Sequence, residues 1–233
     1  MVTVRGKRLR SIAINQYPFT GATYPGRRPR FSFLFTPNRI YRLNLRNLDR
    51  FLASRKLPPA GQRFAVLAYG SNACPEQLQR KYESYGLNNV PVLYGRLTGA
   101  EAVYARRETG GGYVPATLAR KRGSRSSWIT LLTAEQLRAM DASEGRPDYY
   151  VLAEVPKVQF SVGRSRVMPV YTYVDVRGGV MVIGGKPASL RSTSQKRAKS
   201  LLTATSREDA AKQLQYVTIP NPNPPERYSQ FLR

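Results

Sequence analysis

Apolar residues along this chain fall into short alternating or clustered runs, and only a few segments keep a helical period. The runs F-S-F-L-F and R-I-Y-R-L predict strands over 31–35 and 39–44. N-L-D-R-F-L-A-S-R-K-L then places Leu48, Phe51 and Leu52 on one helical face, and Pro58-Pro59 closes that helix. The run from Phe64 to Ala68 reads as a buried strand. It breaks into Tyr69-Gly70-Ser71-Asn72, and Pro75 suits the first turn of a helix reaching about Ser84, with Leu78 and Tyr82 on one face.

Further strands are expected over 90–98, 101–106, 113–118 and 127–132. T-A-E-Q-L-R-A-M-D-A-S-E-G is a well-punctuated helix, with Thr133 and Gln136 spaced as a capping box and Gly145 placed to end it. Strands follow over 149–160, 167–176 and, after the Gly178-Gly179 turn, 180–183. Residues 191–216 read as mainly helical and basic. The ending T-I-P-N-P-N-P-P-E-R-Y-S-Q-F-L-R reads as an extended arm. No internal repeat is visible. A strand-dominated chain with few helices suggests a mixed barrel or α+β domain rather than a doubly wound sheet.

Composition narrows the chemistry. There is no histidine, which excludes Ser-His-Asp and Cys-His machinery and argues against a zinc site. The single cysteine, Cys74, forms no internal disulfide framework and fits a reducing, cytoplasmic setting. No apolar run approaches the roughly 20 residues of a membrane helix, and the basic N-terminus lacks the apolar stretch of a secretory signal. Charge is the anomaly: 38 Lys and Arg stand against 14 acids, a net +24. Residues 1–60 alone hold 13 of the basic residues and one acid, Asp49. Such a field attracts polyanions, so a nucleic acid or an assembly partner is expected at the basic segments.

Two segments could build a site. In Tyr69-Gly70-Ser71-Asn72, glycine permits close backbone approach, and free N–H groups ahead of a helix can cradle an anion or a developing oxyanion. The same four residues could equally form a turn whose side chains satisfy their own backbone. In M-D-A-S-E-G, residues 140–145, Glu144 sits at the C-terminal end of a helix, where the dipole opposes a carboxylate. That placement suits a general base, or a solvated acid paired with Arg138 or Arg146.

Together the two segments, in this order, resemble the gamma-glutamylcyclotransferase-like family: a Y-G-S-N loop leaving a strand, then an L-D-x-x-E-G-type segment with Tyr149 or Tyr150 following. Y-G-R-L-T-G at 94–99, V-P-A-T-L at 114–118 and V-Y-T-Y-V at 170–174 are similar to strands of that family, so the likeness spans about 62–190. Outside the likeness lie a basic N-terminal extension over 1–60, expected to pack on the barrel or a partner, and a basic helical segment with a Pro-rich arm over 191–233. The resemblance itself implies a small mixed β-barrel with flanking helices. It also implies an intramolecular reaction in which the α-amine of a γ-glutamyl group attacks its own γ-carbonyl. The products are 5-oxoproline and a free amine. By resemblance, Glu144 moves the proton and the loop from Tyr69 to Asn72 holds the glutamyl head and oxyanion. Tyr171 or Tyr173 would supply a hydroxyl, and no metal or cofactor is needed. Met140 stands where the family is usually leucine-like. The alternative is a non-catalytic basic component of a nucleoprotein or virion-like assembly that reuses the fold.

Overall fold

The computed structural model describes residues 3–4, 7–8, 10–167, 170–208 and 214–220. In chain order the early strands are β1 (Thr3–Val4), β2 (Lys7–Arg8), β3 (Ser11–Ala13), β4 (Phe33–Thr36) and β5 (Arg39–Arg42). Helix α1 (Leu48–Ser54), strand β6 (Phe64–Leu67) and helix α2 (Pro75–Glu83) follow. The centre holds β7 (Val90–Tyr104), β8 (Ala116–Leu132) and α3 (Ala134–Glu144). Then come β9 (Tyr150–Glu154), β10 (Gln159–Val162), β11 (Ser165–Val167), β12 (Tyr171–Asp175), β13 (Val180–Ile183) and β14 (Lys186–Pro187). Helix α4 (Gln195–Ser200), β15 (Ser206–Glu208) and β16 (Val217–Thr218) complete the described chain.

The main sheet runs β16-β9-β12-β6-β8-β7-β4-β5-β3, with β10 and β11 branching from β7. Among the described residues, only β12 and β6 are parallel neighbours, and the other pairings are antiparallel. The fold is therefore α+β with a large mixed sheet. The expected barrel is not closed among the described residues, because the path ends at β16 on one side and β3 on the other. Strands β3 to β5, from the basic N-terminal stretch, belong to this sheet, with Phe35 opposite Val90.

Strand β6 shows why the sheet reads as a continuous apolar run: both of its faces are covered. Phe64, Val66 and Ala68 face one core with Leu78 and Tyr82 of α2 and Leu137 and Met140 of α3. Ala65 and Leu67 face a second core with Leu48, Phe51 and Leu52 of α1. Period-two alternation thus sorts one strand between two helical layers.

Two strands are longer than the sequence pattern predicts. The separate runs over 90–98 and 101–106 are one strand, β7, kinked by a bulge between Thr98 and Gly99. The runs over 113–118 and 127–132 likewise merge into β8. In the other direction, 149–160 divides into β9 and the start of β10. Of the helical stretch expected over 191–216, the described helical residues are α4 and Leu214, with Ser206–Glu208 in a strand and 209–213 outside the described part. Of the Pro-rich arm, Val217 and Thr218 pair with Glu154 and Ala153 of β9; residues 221–233 lie outside the described part.

This topology delivers the site. Leu132 at the end of β8 lies opposite Phe64 at the start of β6, so α3 begins there. Its 11 residues run about 16 Å at 1.5 Å each, close to the span of strand from Phe64 to Tyr69. Glu144, the last residue of α3, is thereby carried back to the loop that leaves β6. The helix is fixed at both ends. Thr133 and Gln136 make both bonds of a capping box, and Gly145 adopts the left-handed conformation at φ 63°.

Candidate active site

Glu144 and Asn72 meet directly: the Asn72 Nδ2 donates to Glu144 Oε1 at 2.9 Å. Lys81, two turns into α2, donates to the same oxygen and forms an ion pair with it. Both charged side chains are largely buried, at 9% exposure for Lys81 and 13% for Glu144. Among the described residues, Oε2 of Glu144 accepts no hydrogen bond. The carboxylate is thus held by one oxygen and has the other free. Lys81 also lies 3.7 Å from Met140 Sδ, and the Ser143 hydroxyl donates to the Met140 carbonyl at 2.8 Å, packing the last turn of α3 against α2.

Glu144 lines a cleft of about 340 Å³, with Tyr24, Ser71, Lys81, Arg107, Tyr113 and Tyr150 prominent in its wall. That volume lies at the small end of the range for small-molecule sites. A narrow recess of about 20 Å³, room for about one water, continues under the loop between Gly70, Asn72, Glu144 and Tyr173. Tyr149 and Tyr150, the aromatic pair after the M-D-A-S-E-G segment, both reach the cleft.

The loop from Tyr69 to Asn72 uses its side chains for support and leaves its backbone open. The Tyr69 hydroxyl donates inward to the Tyr173 carbonyl at 2.5 Å. Arg28, stacked 4.5 Å over the Trp128 ring, donates to the carbonyls of Tyr69 and Gly70 at 2.9 and 3.2 Å. Among the described residues, no hydrogen bond takes the backbone N–H of Gly70 or Ser71. Those groups precede the short turn Ser71–Ala73 and then α2, where unpaired N–H groups are expected. Gly70 gives the loop close approach here: an added Cβ would stand 2.9 Å from the Tyr24 hydroxyl, which would have to shift. That hydroxyl in turn accepts from the Ala116 amide at 2.8 Å.

Tyrosines surround the site as neutral groups. Burial pushes the phenols of Tyr24, Tyr69 and Tyr150 well above their ordinary range, so they serve as fixed dipoles. Tyr150 donates to the Ala116 carbonyl at 2.9 Å, and Tyr24 stacks on Tyr113 at 4.8 Å. On the far wall Arg107 pairs with buried Asp175 at 2.6 Å and lies over the Tyr149 and Tyr150 rings.

Of the residues singled out from sequence, Tyr69, Gly70, Ser71, Asn72, Glu144 and Tyr173 come together here. Tyr173 sits beneath the loop and donates to Asp141 Oδ1 at 2.6 Å. Tyr171 does not line either cavity; it packs on Phe64 with ring centroids 6.3 Å apart. Sequence reading missed Lys81, Tyr24, Arg28, Arg107 and Tyr113. Lys81 alone carried a usable signal, as a cation on the inward half of α2 beside Tyr82 and Leu78. Cys74 is buried at the start of α2, where its Sγ approaches the Tyr17 carbonyl at 3.3 Å and burial raises its thiol pKa.

Among solved structures, the chain is similar to one described as a gamma-glutamyl cyclotransferase, with 16% identity and a TM-score of 0.39 over 63% of this chain and 89% of that one. It is also similar to an uncharacterized human protein, again with 16% identity and a TM-score of 0.39, over 64% and 90% of the two chains. No family model matches the chain. No curated protein matches it either.

Proposed function

We propose that the protein is a gamma-glutamylcyclotransferase-like enzyme, which cyclises a γ-glutamyl group to 5-oxoproline and releases the amine bound to it. One observation carries the reading. Glu144 stands in a cleft of small-molecule size, with one carboxylate oxygen held by Asn72 and Lys81 and the other unengaged, beside a loop with unpaired backbone N–H groups.

In this reaction the substrate's α-nitrogen attacks its own γ-carbonyl carbon, and the bond from that carbon to the leaving nitrogen breaks. Glu144 Oε2 takes the proton from the α-amine and returns it to the departing nitrogen. The N–H groups of Gly70 and Ser71 face the oxygen that becomes negative in the tetrahedral intermediate. Asn72 and Lys81 keep the carboxylate from rotating, and Lys81 and Arg107 make the cleft attractive to the glutamyl α-carboxylate. The nucleophile belongs to the substrate, so orientation supplies much of the rate and the protein needs one base and an oxyanion site.

The test is release of 5-oxoproline from a panel of γ-glutamyl amines and peptides, with the wild type beside Glu144→Gln. The expected outcome is turnover of at least one member by the wild type and a loss of about 100-fold or more in the variant. Silence of the wild type across the panel, or full activity in the variant, would refute it.

A further inference from the structure

A second concavity, of about 760 Å³, shares no lining residue with the Glu144 cleft. Its wall carries six cations, Arg120, Lys121, Arg125, Lys186, Arg191 and Arg197, against the single acid Glu101. They come from three places that the fold brings side by side: the exposed middle of β8, β14, and the segment leading into α4 together with α4 itself. Isolated bridges pin this assembly, Val103 to Ser189 and Ala105 to Val180.

Glu101 is already committed to the floor of the groove. It lies 3.5 Å from Lys121 and 3.4 Å from Arg125, and accepts from the Ser189 hydroxyl at 3.2 Å. Arg120 donates to the neutral Gln215 side chain at 3.1 Å. Among the described residues, Arg120, Lys186, Arg191 and Arg197 have no acidic partner, and all four are exposed. Holding four such cations along one groove costs repulsion that no ion pair among the described residues relieves.

We propose that this groove binds the phosphodiester backbone of a nucleic acid. Three of the four unpaired cations are arginines, whose planar fork matches phosphate oxygens. The hydroxyls of Ser192 and Thr193 stand on the same wall as further donors. Among the described residues, no aromatic side chain lines the groove on which a base could stack. Contact is therefore to the backbone and independent of sequence. The inference does not depend on the cyclotransferase reading.

The experiment is fluorescence anisotropy of a labelled 20-nucleotide DNA single strand with the full chain, over a KCl series from about 50 to 300 mM. The groove variant combines Lys186→Gln, Arg191→Gln and Arg197→Gln. A control variant combines Arg46→Gln, Arg50→Gln and Lys56→Gln, three exposed cations away from the groove, and loses the same net charge. Circular dichroism confirms that both fold.

The expected result is a loss of about tenfold or more in affinity for the groove variant at 100 mM KCl, with a shallower salt slope by about 2. The control should lose less than about threefold. Equal losses in the two triple variants would overturn the proposal by assigning the binding to overall charge, as would absence of wild-type binding at low salt. Inorganic polyphosphate offers the same phosphate chemistry and serves as competitor. Weaker displacement by it than by unlabelled DNA of equal charge supports the nucleic-acid assignment, and stronger displacement overturns it.

Discussion

The Lys81–Glu144 pair makes the sharpest quantitative prediction, because burial decides what an ion pair is worth. Both side chains are nearly enclosed, at 9% and 13% exposure. At a separation of about 3 Å and an effective dielectric of about 20, the gross attraction is about 5 kcal/mol, and desolvation of two charges opposes it. Deleting one partner of such a pair strands the other and costs about 3–5 kcal/mol. Lys81→Met keeps the stem's bulk against Met140, and the Asn72 amide still serves the Glu144 carboxylate, so the lower end applies: about 3 kcal/mol. For a chain of this size that lowers Tm by roughly 6–12 °C.

The Lys199–Glu108 pair is the internal control. It is also close, at 2.6 Å, but its side chains are 51% and 39% exposed. Lys199→Met should therefore cost less than about 1 kcal/mol. Urea unfolding followed by circular dichroism measures both. In a Glu144→Gln background, Lys81→Met should cost at least about 1 kcal/mol less than in the wild type, the mark of direct coupling. Equal costs for the two lysine variants, or additivity in the cycle, would refute the argument that Lys81 and Glu144 form a buried unit.

Gly70→Ala places a methyl 2.9 Å from the Tyr24 hydroxyl, and Tyr24 is stacked on Tyr113 at the cleft wall. The expected cost is about 1–3 kcal/mol in urea unfolding, with reduced 5-oxoproline release, and an unchanged midpoint would contradict the close packing. Burial raises the carboxyl pKa of Asp175 above its ordinary 3.8, with Arg107 pulling it back in part. The folded protein then holds this proton more tightly than the unfolded chain. Stability should accordingly fall as pH rises from about 3.8 through the raised value. Subtracting the pH profile of Asp175→Asn from that of the wild type isolates this fall, and a flat difference would refute it.

The sequence carried the α3 helix almost completely, since both its ends are written in local chemistry, a capping box and a left-handed glycine. The long strands were harder to see, and their own residues explain why. Gly95 and Gly99 look like breaks in β7, yet a Cβ on them would stand 2.2 Å from the Ser161 carbonyl and 2.4 Å from the Lys157 carbonyl. They are glycines because the stretch leading into β10 and β10 itself cross closely there, which is a property of distant chain. The middle of β8 is R-K-R-G-S-R-S, exposed and without apolar alternation, so nothing local marks it as strand. Residues 191–216 have helix-forming composition, but α4 ends at Ser200 and Ser206–Glu208 pairs with β13 instead. Tertiary pairing overrides propensity there. In the site, the loop and Glu144 were visible as motifs. Lys81, Tyr24 and Arg28 matter only through contacts across the fold, and no spacing in the sequence encodes those.

The arrangement of charge around Glu144 bears on which substrates the proposed reaction would accept. The cleft wall carries two cations, Lys81 and Arg107, beside the base and Glu108; Lys81 is paired with Glu144, Arg107 with Asp175 and Glu108 with Lys199. A neutral amide carrying no acid would gain nothing from those cations. A γ-glutamyl group carries an α-carboxylate beside the attacking amine, so it places a negative charge near the cations while its amine approaches Glu144. The proposed leaving amine departs from the other side of the reacting carbonyl, and Gly110, Tyr113 and Tyr149 are the uncharged surfaces that the cleft offers it. Aromatic and glycine surfaces there discriminate by shape more than by charge. Selectivity should therefore be strict for the glutamyl head, where electrostatic complementarity acts in a buried site, and loose for the departing amine.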